Sequence, residues 1–361
     1  MDSIKSSSRN QLIDVLRFAL AFLTMFHHYE QAFNVSIISF SFISSGIYFL
    51  GVECFFVLSG YFELLKEDQL DKKFFMFFIK KAIRIYPMVI ISTTVAYIVC
   101  YIYGTSGQGI INAQFSFINY LCNISLIFCN GIFGIEELGV NNPLWFLSVL
   151  LVIYMYIYFI RYICKKLKLN TNLLLFINII LFVCIETHEV SLPFFCGRVA
   201  RGMIPFCVGG LLVSINNTFR NYQINVISFI GIIIIVFFYI IKVPFFIEYK
   251  RYIYIFALYP LIILFCINSK VVSKLFDDPF FNQLGKISFE MYVWHSPLYY
   301  VIVIINGHFG VLAVGEKWFA CLIMFFIVGW SDLLYRFVEK PISKTLISYL
   351  PKQKIYKQRN R

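Results

Sequence analysis

The chain has 361 residues, of which 60% are hydrophobic and only 14% charged, with a mean hydropathy of +0.78. That excludes a soluble domain, whose apolar and polar residues are nearly balanced, and continuous rather than alternating apolar runs exclude a β-barrel. The net charge of +12 does not point to nucleic acid, because the basic residues gather between apolar runs and at the C-terminus, where they orient a membrane chain.

Taking about 20 apolar residues per crossing, ten spans are expected near residues 12–29, 44–64, 82–103, 144–163, 172–187, 199–215, 224–241, 252–267, 287–305 and 317–337. The expected fold class is an all-α polytopic membrane helix bundle of about ten transmembrane helices, with no soluble domain. It comprises one membrane domain over residues 1–345 and a basic cytoplasmic tail over 346–361. A cytoplasmic N-terminus puts most basic clusters on one side: Lys66, Lys72, Lys73, Lys80 and Lys81; Arg161, Lys165, Lys166 and Lys168; Arg220; Lys270 and Lys274; and the tail from Lys340. The opposite loop from Gly104 to Pro143 has no Lys or Arg, as the positive-inside rule requires. Lys242, Lys250 and Arg251 fall on the outer side and are explained by nothing beyond interfacial contact. Residues 115–133 are apolar enough to cross, but a crossing there would invert every later loop, so a re-entrant or interfacial segment is expected. Lys5 and Arg9 precede an apolar run as in a signal peptide, yet Arg17 interrupts it and no cleavage site follows, so it is expected to remain the first span.

The first span carries Asp14, Arg17, His27 and His28. A charge in a membrane helix costs roughly 2.5 to 3.5 kcal/mol, so an arginine there needs a purpose or a partner. At about 100° per residue, Arg17, Thr24 and His28 share one face extending roughly 16 Å, while His27 points about 80° away from Arg17. Alternatively, Arg17 snorkels to the headgroups and the histidines sit at the other interface. The second span contains Gly51-Val-Glu-Cys-Phe-Phe-Val-Leu-Ser-Gly-Tyr61. Its Ser59-Gly60 pair allows either close helix approach or a backbone opening beside a ligand. The third begins Lys80-Lys-Ala-Ile-Arg-Ile-Tyr-Pro87, with three cations on adjoining parts of one face. Placed at a helix N-terminus they would oppose the macrodipole, and an anionic cofactor or lipid headgroup would relieve that.

Trp145-Phe-Leu-Ser148 opens the fourth span, where interfacial anchoring is the ordinary role of tryptophan. Arg198 and Arg201 precede Pro205, Phe206 and Gly209-Gly210 and would hold an anionic or hydroxyl-rich substrate, or lipid phosphate. In the ninth span His295 shares a face with Ser288, while Glu290 points about 140° away from His295. Glu339, ahead of Pro341, is expected to close the last span and meet a basic residue. The ten cysteines lack CxxC spacing and read as small buried hydrophobes, with a Cys122–Cys129 pairing left open. Metalloprotease, P-loop, dinucleotide and nucleophile-elbow signatures are absent. Five histidines without a carboxylate cluster at ligand spacing argue against a metal site.

In this order the segments resemble the integral-membrane acyltransferase-3 family. The resemblance rests on Asp14-Val-Leu-Arg17 with His28, Gly51 to Tyr61, Lys81-x-x-Arg84-Ile-Tyr-Pro87, Trp145-Phe-Leu-Ser148 with Tyr154, Arg201 with Phe206 and Gly209, Met291-Tyr-Val-Trp-His295, and Glu339-Lys-Pro341. It therefore covers nearly the whole chain. The resemblance implies an O-acetyltransferase that moves an acetyl or other short acyl group from cytoplasmic acyl-CoA to a hydroxyl of a lipid-linked glycan or cell-surface polysaccharide, such as an O-antigen. Acetyl-CoA is then the donor, without a metal, in a bacterial-type inner membrane with both termini cytoplasmic. The family's arginine and histidine match Arg17 and His28. Its paired basic motif matches Lys81 and Arg84, with lysine where arginine is usual, which keeps the charge and loses the bidentate fork. Leu150 stands where many relatives carry glutamate.

The implied roles follow. Lys80, Lys81 and Arg84 would hold the phosphates of coenzyme A, and Arg17 would orient the thioester or stabilise its oxyanion. His28 would act as general base or transient acyl carrier. Asp14, Ser59, Gly60, Tyr61, Trp145, Arg198, Arg201, His295 and Glu339 are further pocket candidates. A multi-span transporter or flippase is the alternative, but it should show repeat symmetry or matched broken helices, and the sequence shows neither. Oligomeric state is not specified by these residues.

Overall fold

A computed structural model describes residues 10–37, 47–66, 74–103, 116–131 and 139–350. Lys5, Arg9, Lys72, Lys73 and the part of the basic tail beyond Leu350 lie outside the described residues. The expected apolar runs are helical: α1 (Gln11–Phe33), α2 (Ile47–Leu64), α3 (Phe74–Tyr103), α5 (Trp145–Leu167), α6 (Thr171–Thr187), α7 (Gly197–Thr218), α8 (Asn221–Ile240), α13 (Pro279–Phe309) and α14 (Lys317–Leu334), together with α10 (Lys250–Ile253) joined to α11 (Tyr259–Asn268) through a π-helical turn at Tyr254–Leu258. Shorter helices are α4 (Phe117–Ile124), α9 (Pro244–Glu248), α12 (Lys270–Leu275) and α15 (Lys340–Ser348), and a two-residue antiparallel ribbon pairs β1 (Ser191–Leu192) with β2 (Phe195–Cys196). The protein is all-α and polytopic, and among the described residues six helices are long and apolar enough to cross a membrane.

Caps and prolines set the boundaries. Asn10 caps α1 by accepting from Ile13 N–H at 3.2 Å, and its amide donates to Cys266 O at 3.0 Å, tying α1 to the end of α11. Asp278 caps α13, with Pro279 in the first turn, so this helix starts before residue 287, the expected edge of its span. The last span does not close at Glu339: a π-helical turn over Tyr335–Glu339 passes directly into α15, which carries Pro341 in its first turn.

The core is organised around α5, which is buried along most of its length, whereas α8 shows most of its surface to the surroundings. Two glycines set the tightest crossing. A methyl group on Gly60 would lie 1.9 Å from Phe206 O, and one on Gly209 would lie 2.0 Å from Val57 O. The backbones of α2 and α7 thus touch where side chains have been dispensed with, as small residues allow in membranes. The described part of the 115–133 segment, residues 116–131, holds the eight-residue α4, roughly 12 Å long and too short to cross. The chain after α4 turns back into the bundle, where Ser148 Oγ of α5 donates to Leu126 O at 2.8 Å and also bonds Phe128 O. All ten cysteines are free thiols, so Cys122 and Cys129 do not pair.

Candidate active site

One end of the bundle holds a cavity of about 380 Å3 between α1, α2, α3, α5 and α13. Five cations reach it: Arg17, Lys66, Lys80, Lys81 and Arg84. The last three are the seventh, eighth and eleventh residues of α3, because that helix begins at Phe74. They therefore do not crowd a helix N-terminus, and the expected conflict with the macrodipole does not arise. Lys81 Nζ is 2.6 Å from Glu63 Oε2 and 3.8 Å above the Tyr154 ring. Glu63 is buried, so this pairing compensates a carboxylate that would otherwise be costly. Arg161 of α5 donates to the carbonyls of Glu63 and Lys66 at 3.1 and 2.9 Å, fixing the end of α2 at the cavity rim. Arg17 stands 3.6 Å from Asp14 and 5.1 Å over the Phe62 ring. Burial, and next the positive charge of Lys81, lower the Lys66 ammonium below its ordinary pKa, against the pull of Glu63.

Phe55, Phe146 and Tyr292 form an aromatic layer in the lining, with centroids 5.7 to 6.4 Å apart. His295 lies 6.0 Å from Tyr292, and the His28 ring stacks on His295 at 5.2 Å and 18°. The cavity lining includes Arg17 but neither histidine. His295 Nδ1 approaches Met291 O at 3.1 Å. A carbonyl only accepts, so Nδ1 carries the proton and Nε2 presents its lone pair; that atom is buried and has no hydrogen-bond partner. His28 Nδ1 is 3.0 Å from Gln31 Oε1. With Nδ1 donating there, His28 Nε2 is likewise the basic nitrogen.

A second polar cluster lies toward the other end of α2 and α5, with residues of α6, α7 and α10. Glu53 near the start of α2 is fully buried, and its Oε1 accepts from Arg201 Nε at 2.7 Å. Arg251 Nε is 3.9 Å from the same oxygen, and Arg251 Nη1 pairs with Glu186 at the end of α6. The Trp145 ring lies under the guanidinium groups of Arg201 and Arg198, at 4.9 and 5.7 Å. Trp145 is buried, so its role here is packing beneath cations and the interfacial reading is corrected. Phe56 joins this cluster to the aromatic layer, with its ring 6.3 Å from Trp145 and 4.5 Å from Phe146.

The remaining candidates separate. Ser59 lines the cavity, while its neighbour Gly60 serves the α2–α7 contact. Tyr61 faces the other way, its hydroxyl accepting from Asn216 at 3.3 Å. Asp14 abuts Gly285, where a methyl group would lie 2.3 Å from Asp14 Cβ. Glu339 accepts from Ser343 Oγ at 3.1 Å, in place of the basic partner expected for it. Glu53, Glu63, Lys66 and Arg251 were not picked out as site residues by the sequence reading. The two glutamates did carry a signal, since carboxylates inside an apolar run fall under the same rule that selected Arg17. Arg251 was visible as an exception to the charge rule, and its two carboxylate neighbours account for it.

The acyltransferase-3 family model, described as an acyltransferase domain, matches residues 10–336. No curated protein and no solved structure matches the chain.

Proposed function

The chain belongs to the acyltransferase-3 family of membrane-associated acyltransferases, and from that premise we propose that it is an O-acetyltransferase. The donor would be cytoplasmic acetyl-CoA and the acceptor a hydroxyl of a lipid-linked glycan or surface polysaccharide. The observation that carries this reading is the cavity with five cations at one end of the bundle and the stacked His28–His295 pair beyond its aromatic layer. In this reading the cavity end is cytoplasmic, the bundle has ten crossings in a bacterial-type inner membrane, and residues 1–345 form one domain.

Lys66, Lys80, Lys81 and Arg84 hold the phosphates, whose negative charge suits a site with one carboxylate against five cations. Arg17 and His28 are separated by roughly 16 Å along the axis of α1, too far for both to act on one carbonyl. Of the two roles implied for Arg17, this favours holding and orienting the donor over stabilising the oxyanion. The pantetheine arm then runs past Phe55, Phe146 and Tyr292 and presents the thioester beside the histidines. His28 Nε2 takes the proton of the acceptor hydroxyl as its oxygen bonds to the thioester carbon. The tetrahedral intermediate collapses by breaking the C–S bond, and the imidazolium returns the proton to the departing thiolate, giving ester and free coenzyme A.

Membranes supplied with labelled acetyl-CoA test this. His28→Ala should lower transfer to envelope glycan by about 10²- to 10⁴-fold, the usual contribution of a general base, and leave coenzyme A binding unchanged. Equal transfer by variant and wild type would exclude His28 as base, and no transfer by either would favour a carrier.

A further inference from the structure

The cluster opposite the cavity contains an unusual set of unsatisfied atoms. Glu53 Oε2, Glu186 Oε2, Arg251 Nε and Arg251 Nη2 are all buried without a hydrogen-bond partner. Buried polar atoms are ordinarily paired, and leaving them unpaired is costly. Two are acceptors and two are donors. A phosphate or carboxylate would satisfy only the donors, and an ammonium only the acceptors. A hydroxyl both gives and receives, so a ligand bearing several hydroxyls satisfies the whole set. Glu53 and Glu186 face Arg201 and Arg251, with the Arg198 guanidinium beside them over Trp145. The fifth component is the Trp145 indole, buried beneath Arg201 and Arg198, which holds their guanidinium groups at the cluster.

We infer that Glu53, Glu186, Arg201, Arg251 and Trp145 form the acceptor subsite, and that the ligand they take is a hydroxyl-rich ring of the sugar class. This rests on the transferase reading above and names the part of it that the cavity leaves undefined. The subsite sits at the outer ends of α2, α6 and α7 in that topology, joined through Phe56 to the aromatic layer that reaches His295. Donor and acceptor then enter from opposite faces and meet at the imidazole pair.

Glu53→Gln, Arg251→Gln and Trp145→Leu, each in the full-length chain, are to be compared with wild type by two measurements. Coenzyme A binding to purified protein is followed calorimetrically, and alkali-labile acetyl is quantified on the envelope glycan of cells with matched protein levels. The expected result is binding within twofold of wild type and acetyl lowered at least tenfold, with Trp145→Phe keeping most of it. Variants that bind coenzyme A normally and acetylate within twofold of wild type would overturn the subsite, leaving ordered water as the occupant. Parallel loss of binding and thermal stability in all three would overturn it too, making the cluster structural. A wild type that binds coenzyme A but adds no acetyl would sink the transferase reading itself.

Discussion

Lys81 carries two jobs that mutation can separate. Its ammonium neutralises buried Glu63 and rests on Tyr154 while facing the cavity. Lys81→Ala leaves a buried carboxylate uncompensated, so it should destabilise the protein by about 3–5 kcal/mol as well as weaken coenzyme A binding. Adding Glu63→Gln removes the stranded charge. The double variant is expected to recover most of the lost melting temperature and none of the lost affinity, as thermal unfolding and calorimetry would show. Recovery of both would mean that Lys81 contributes only through Glu63. Lys66 offers a pH test. Burial and the neighbouring Lys81 charge lower its ammonium below the ordinary lysine range, so its charge is lost as pH rises through that lowered value. Coenzyme A affinity should therefore decline with rising pH sooner than an ordinary lysine would allow, and Lys66→Arg should flatten the decline because arginine stays charged. Identical profiles would remove Lys66 from phosphate binding.

At the scale of helices, the small-residue reading of Ser59-Gly60 and the ligand reading both hold, on successive residues. Gly60 meets the α7 backbone and Ser59 lines the cavity, because neighbours on a helix point about 100° apart. A methyl group on Gly60 or Gly209 would fall within 2.0 Å of a facing carbonyl oxygen, and backbone cannot step aside as a side chain can. Gly60→Ala and Gly209→Ala should each cost at least about 1–3 kcal/mol through overpacking. Gly329→Ala, with nothing within 4 Å of the added methyl, should melt like wild type in the same detergent. Equal melting of all three would show that α2 and α7 are not in backbone contact. This crossing positions Ser59 and Glu63 toward one end of α2 and Glu53 toward the other, so its loss should affect both polar sites. Helical periodicity made the Arg17–Thr24–His28 face legible, but it says nothing about which partner that face meets. His295 was legible as an intramembrane ionisable group, yet its stacking on His28 depends on how α1 and α13 lie together, a tertiary fact with no local signal.

For the whole molecule, the apolar runs were legible from composition because a bilayer tolerates little else. The number of crossings is harder to read, and the reason is physical. The helices outside the six that are plainly long and apolar enough are α1, α2, α6 and α13. Of these, α1 carries Asp14, Arg17, His27 and His28, α2 carries Glu53 and Glu63, and α13 carries Glu290 and His295, while α6 has only 17 residues. Ionisable residues thus lower the hydropathy of α1 and α13, whereas α3 and α7 carry Lys80, Lys81, Arg84 and Arg201 toward their ends and keep an apolar stretch long enough to cross. The two counts differ in parity between β1 and α15: α7, α8, α10–α11 and α14 make four crossings, and α13 makes a fifth. Cysteines placed at Leu192 and Leu346, both exposed, in a chain whose exposed Cys184 and Cys321 are replaced by serine, resolve this with a membrane-impermeant maleimide on intact cells stripped of their outer layers. Five crossings predict immediate labelling at position 192 and labelling at position 346 only after permeabilisation. Labelling of both from the same side would take α13 out of the crossing set, and with it the opposite-face arrangement of donor and acceptor on which the mechanism depends.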